Sequence, residues 1–306
     1  GTGISSGGAL RNISGTNSWS GDLTLGSATR INSDSGTLTL SGGVSGAGLA
    51  LTVGGAGNTT MSGIIGTTSG TLTKDGTGTL ILSGANTYTG LTTVSAGVLN
   101  LQHATASGTI AGGISVTSGA ALELQGGIAV GAEALTLNGT GISSGGALRN
   151  ISGTNSYAGA ITLGAASRIN ADADTLTVSG DVSGATFALT VGGAGNTTMS
   201  GILGTTSGTL TKDGAGTLIL SGVNTYTGAT TINAGIVSIA ADSGLGAAPG
   251  VATAGQLTFG GGTLQTTATF TLHANRGTAL TGAGTVSTDA STTLTYNGII
   301  AGASTL

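Results

Sequence analysis

The chain has 306 residues, of which 62 are glycine, 6% are charged and none is cysteine. A typical soluble domain has about 7% glycine and about 25% charged residues. Helical and α/β enzymes, whose helix surfaces need Lys, Glu, Arg and Gln, are therefore nearly excluded, and disulfides, thiol catalysis and Cys-based metal centres are excluded outright. Seven basic against eleven acidic residues give a net charge of −4, which leaves no cationic footprint for nucleic acid. Disorder fits poorly with 38% hydrophobic residues. No apolar run reaches the roughly 18 residues of a membrane-spanning helix. Gly1 is followed by no basic-then-apolar leader, so no signal peptide is expected within this chain.

Taken in order, the residues predict short strands separated by turns. LTLG at 23–26, TLTLSGG at 37–43, LTVGG at 51–55 and LILSG at 80–84 place apolar residues two apart with Thr, Ser or Ile between. Period two is the strand signal. Gly, Asn or Ser then ends each run, because these residues accept turn dihedrals that β-branched residues refuse. The same texture continues through ISVTSGAALELQGG at 114–127 and ALTLNG at 134–139. It persists in QLTFGGGTLQ at 256–265, TFTLHAN at 269–275 and TTLTYNG at 292–298. No window shows the 3.6 periodicity of a helix.

Internal repetition dominates. Residues 1–97 match 139–235 without a gap at an offset of 138, with 78 of 97 positions identical. Residues 98–138 lie between the copies, and 236–306 diverge while keeping the texture; both read as further degenerate coils. Many short strands, frequent turns and few aromatics disfavour a propeller or an outer-membrane barrel. They predict an all-β chain folded as one continuous parallel β-solenoid over 1–306, each coil pairing with the next. Coils of about 20–25 residues give about 13–15 coils, and make the offset about six whole coils with both copies presenting the same faces.

LTKDGTGTLILSGANTYTGLTTVSAGVLNL at 72–101 resembles the autotransporter-associated β-strand repeat of large bacterial surface proteins. The motif positions are Lys74, Gly76, Gly78, Asn86, Tyr88 and Gly90, and they recur as Lys212, Gly214, Gly216, Asn224, Tyr226 and Gly228. The resemblance implies a right-handed parallel β-helix in a passenger region at the surface of a Gram-negative bacterium. It implies adhesion, aggregation or matrix formation rather than catalysis. Expected partners are further copies of the chain, end to end or side by side, a continuation in a longer chain, and surface glycans. No cofactor or metal is expected.

Residues that could carry chemistry are few. His103 and His273 stand 170 residues apart in unlike contexts, and no G-x-S-x-G elbow positions a serine. No Walker-type loop, dinucleotide fingerprint or calcium nonapeptide is present. The alternative is a carbohydrate-binding or carbohydrate-cleaving β-helix, whose best cluster is Arg168, Asp172, Asp174 and Asp181. A spacer holding a distal domain away from the cell is a third reading. Lys74–Asp75 and Lys212–Asp213 read as charged turns that keep a sheet edge soluble. Asn86 and Asn224 read as members of Asn stacks inside a turn, their amides bonding to neighbouring coils, and Tyr88 and Tyr226 as residues that stack or cover a core end.

Overall fold

The computed structural model describes all 306 residues as strands, turns and three short 3-10 turns. No helix is long and apolar enough to cross a membrane. The chain divides into two compact units, Gly1–Gly159 and Ala160–Leu306. Each is a stack of parallel β-coils, and together they hold about 14 coils.

In the first unit one ladder consists of Leu10–Asn12, Thr29–Ser33, Leu51–Gly54, Leu72–Lys74, Thr92–Val94, Ile114–Val116 and Leu135–Gly139, each strand parallel to the next. A second ladder consists of Thr16–Trp19, Thr37–Leu40, Asn58–Met61, Thr79–Leu82, Val98–Leu101, Ala121–Gln125 and Leu148–Ser152. A short third ladder joins Leu23–Thr24, Val44–Ser45 and Ile65–Gly66.

Alternation decides which side chains meet. Along the second ladder Leu38, Thr59, Leu80, Leu99, Leu122 and Leu148 fall in register and point inward, and all are buried. Burying one such leucine contributes about 1.5–3 kcal/mol. The threonines between them face outward, as at Thr37 and Thr39. Hydrogen bonds run between coils, so the backbone is satisfied without helices or a charged shell. Corner glycines close the turns. Gly76 has φ +70, and a Cβ there would collide with the Gly55 carbonyl one coil below. That position demands glycine on both counts.

The second unit repeats the plan. Its first ladder runs from the latter part of Ile161–Ala171 through Leu189–Gly192, Leu210–Lys212, Thr230–Ile232, Thr253–Phe259, Arg276–Leu280 and Ile300–Gly302. Its second runs through Thr175–Val178, Asn196–Met199, Thr217–Leu220, Ile236–Ile239, Thr263–Thr266 and Thr285–Thr288.

One expectation fails. Leu10 opens the first ladder against Ile31, yet its repeat counterpart Leu148 sits on the second ladder against Leu122. The 138-residue offset is therefore not a whole number of coils. The cause lies in residues 98–138, where coil length varies and the pairing slips between Leu124 and Gln125. The ladders resemble one another closely enough that one sequence fits either, since each asks only for an apolar residue inward and a small polar one outward.

Candidate functional site

The repeat motif lies on consecutive coils in each unit. Lys74 does not stand in a solvated turn, contrary to the sequence expectation. It occupies the inward file of the first ladder, between Val53 and Val94, and is 2% exposed. Its Nζ donates to the carbonyls of Asp75 at 2.6 Å, Gly76 at 2.8 Å and Ala96 at 3.1 Å. The ammonium thus caps a corner carbonyl cluster spanning two coils. Desolvation pulls its pKa down to about 8, opposed by Asp75 and reinforced by Arg30. Lys212 repeats this with Asp213, Gly214 and Ala234, and is also pulled down to about 8 by burial. The pattern misled because Lys-Asp-Gly is turn chemistry, whereas the strand alternation through Leu72 turns Lys74 inward.

Asp75, beside it, faces outward and receives a bidentate Arg30, at 2.6 and 2.8 Å. Arg30 also donates to Asn32 at 2.8 Å, and Asn32 to Asp34 at 2.6 Å. Arg168 pairs in the same way with Asp213, at 2.7 Å for both bonds, and donates to Asn170. This pairing was missed in the sequence. The available signal was that Arg and Asp recur 45 residues apart in both copies.

Asn86 is buried and binds both neighbouring coils. Its Oδ1 accepts from the Ile65 N–H at 2.8 Å and its Nδ2 donates to the Ala106 carbonyl at 2.5 Å. Asn224 does the same with Leu203 and Gly244, at 2.8 Å each. These amides contact backbone above and below, not other asparagines. Tyr88 is fully buried inside the stack rather than covering an end, and its hydroxyl bonds Thr92 Oγ1 at 2.7 Å. Thr92 in turn donates to the Ser107 carbonyl at 3.2 Å. Burial pushes the Tyr88 phenol up, opposed by the Thr92 bond. Tyr226 makes the matching bond to Thr230 and is pushed up to about 12 by burial. Gly78, Gly90, Gly216 and Gly228 lie so close to the coil beneath that a Cβ would strike the carbonyls of Gly57, Gly70, Gly195 and Gly208. Gly214 mirrors Gly76 at φ +70.

In the cluster offered for the alternative carbohydrate-cleaving reading, the Arg168 guanidinium is paired with Asp213. Asp172 accepts from Asn170 at 2.6 Å, Asp174 stands in a turn at φ 53, and Asp181 accepts from the Ile202 N–H at 2.8 Å. His103 and His273 each accept a backbone N–H two residues on, from Thr105 and Asn275. His103 belongs to the first unit and His273 to the second.

Two further ionisable groups had no sequence signal. Glu133 is 2% exposed; Ser107 donates to its Oε2, and its Oε1 has no hydrogen-bond partner. Burial pushes its pKa up to about 7, opposed by the Ser107 bond. Arg276, 1% exposed, binds Asp242 through Nε at 2.8 Å and Nη2 at 3.0 Å, and also donates to the carbonyls of Leu245 and Gly246.

Residues 72–101 and 210–239 each match the passenger-associated-transport-repeat family model. A 78-residue stretch is 46% identical to the adhesin BmaC autotransporter of Brucella suis biovar 1 (strain 1330), covering 26% of this chain and 2% of that protein. The chain thus corresponds to a small fraction of the relative's length. No solved structure matches it. The matched residues include those that tie successive coils together in each unit, and these two stretches are what the chain shares with the passenger-associated-transport-repeat family.

Proposed function

We propose that the chain is a non-catalytic, adhesin-like stretch of a passenger that presents the outer faces of its coils at the surface of a Gram-negative bacterium. The observation that supports this best is the inward use of the repeat's polar residues. Lys74 and Asn86 bond to neighbouring coils and Tyr88 bonds Thr92, while the outer file of the first ladder runs from Arg30 through Thr52, Thr73, Thr93 and Ser115. Such a surface offers contact area, not a reacting centre. Self-association belongs to the same proposal, because a net charge of −4 over 306 residues opposes close packing only weakly.

The test uses the purified chain coupled to latex beads and applied to cultured epithelial cells, with sedimentation velocity on the same sample. Beads that adhere above an albumin-coated control support the adhesin reading, and beads that do not adhere contradict it. A concentration-dependent rise in sedimentation coefficient supports self-association, and a constant monomer value removes that part.

A further inference from the structure

The outward file of the second ladder changes character between the two repeat copies. In register it reads Thr39, Thr60, Ile81, then Asn100, Glu123 and Arg149. The parallel file beside it includes Thr37 and Asn58, then Thr79, Val98 and Ala121. A carboxylate and a guanidinium thus enter the outward surface next to two apolar side chains.

The loop at 139–146 arches over this patch. Its closure is fixed by the Gly146 N–H donating to the Thr140 carbonyl and by that of Gly145 donating to the Ile142 carbonyl, both at 2.8 Å. Ile142 of this loop is 40% exposed. Between loop and sheet lies a cleft of about 390 Å³, lined by Val98, Ala121, Glu123, Ile142, Ser143 and Arg149. Ala121 faces outward by strand alternation yet is 3% exposed, so the patch is roofed.

We propose that this cleft is a binding site for a small neutral saccharide. The proposal rests on the adhesin reading and gives it one ligand class and one place. Glu123 and Arg149 pair at 3.2 Å, so the floor sets acceptor and donor groups side by side. Asn100 donates to Glu123 Oε2 at 3.1 Å and to Gln125 Oε1 at 3.2 Å, which fixes the carboxylate in place. Ser143 contributes a hydroxyl from the roof. Adjacent sugar hydroxyls each need one donor and one acceptor, and the apolar walls of Val98, Ala121 and Ile142 suit the C–H faces of a pyranose ring. The volume lies in the range of small-molecule sites. An added peptide strand is disfavoured, because Ala121–Gln125 already pairs on both sides, with Val98–Leu101 and Leu148–Ser152.

The experiment is methyl NMR on the full chain, titrated separately with glucose, galactose, mannose, N-acetylglucosamine, lactose and maltose. The methyl signals of Val98, Ala121 and Ile142 move together with at least one sugar, half-saturating at about 1–10 mM. Ala121→Leu, which fills the cleft from an outward position, and Glu123→Gln each weaken that response by about tenfold, with core methyl signals unchanged as evidence of folding. Absence of any shift at these three residues with every sugar overturns the proposal, as does a shift that both variants leave unaltered. Bead adhesion separates the two levels. Wild-type beads that still adhere, from a wild-type chain with no sugar response, sink the site and leave the adhesin reading standing. Wild-type beads that fail to adhere sink the adhesin reading, while a cleft-localised sugar response keeps the site.

Discussion

Arg30 reaches Asp75 across a whole intervening coil, a sequence separation of 45 residues, and Gly54 is the residue they pass over. A Cβ at Gly54 would strike both Asp75 Oδ1 and Arg30 Nη2. Gly192 stands in the same relation to Arg168 and Asp213. Glycine is needed here for space, since the bidentate pair occupies the volume a side chain would fill. Gly54→Ala is therefore expected to open the pair and cost about 1–3 kcal/mol by overpacking. Asp75→Asn alone is expected to cost about 1 kcal/mol, because the pair is partly exposed and screened. Urea unfolding of both variants at low and high salt checks this. The Asp75→Asn difference should shrink with salt, and the Gly54→Ala difference should keep its steric part.

Lys74 holds three carbonyls that have no comparable donor once it is gone. Lys74→Met keeps the apolar stem and removes the ammonium. The expected loss is about 2–3 kcal/mol, the range for charge-assisted bonds in a buried corner. If the lysine merely decorated a turn, the substitution would fall within about 0.5 kcal/mol of wild type. Denaturant midpoints of Lys74→Met and Lys212→Met distinguish these outcomes.

Thr59 and Thr197 sit in leucine files with their hydroxyls buried and without a hydrogen-bond partner. Valine has nearly the same shape and no polar group to satisfy. Thr59→Val and Thr197→Val are each expected to stabilise by about 1 kcal/mol. A fall in the thermal midpoint of either variant would contradict this reading of the files.

Glu133 gives a pH dependence of definite sign. Its pKa in the folded chain is raised from 4.5 to about 7 by burial. Folded chains therefore hold more protons than unfolded ones between these values, and stability falls as pH rises through the interval. The full contribution is present below the unfolded pKa, and the loss is complete once pH has passed the folded one. Its size is on the order of 3 kcal/mol. The groups facing Glu133 are Ser107, Tyr88 and Tyr157, and neither phenol ionises in this window because both are pushed up by burial. Glu133→Gln is expected to flatten the profile of chemical stability between pH 4.5 and about 7. Asp242 acts with the opposite sign. Its pKa is lowered beside Arg276 and the His273 N–H despite desolvation, so its contribution is present above the unfolded value and is lost as pH falls through the folded one.

The fold was legible because period-two alternation and turn residues appear in nearly every coil, and because the long repeat excludes most other architectures. The motif's asparagines were legible as inter-coil amides. The lysines were not, since Lys74 precedes Asp75 and Gly76 and reads as a turn until the register places it between Val53 and Val94. The Arg30–Asp75 pair was hidden by distance along the chain, because coil length must be known before residues two coils apart can be matched. The shift that puts Leu10 and Leu148 on different ladders was hidden in the uneven coils of 98–138, where pairing slips at Leu124 and Gln125. Glu133 lies outside both copies of the repeat, so no second instance marked it.

The most direct measurement is hydrogen exchange of the full chain, followed by mass spectrometry of peptides across both units. If the family motif is a set of internal staples, amides in 72–94 and 210–232 exchange most slowly, and Lys74→Met speeds exchange in 72–97 while leaving 210–232 unchanged. Uniform protection along all coils, or exchange in 72–97 that Lys74→Met does not alter, would contradict it and return the motif's polar residues to the surface.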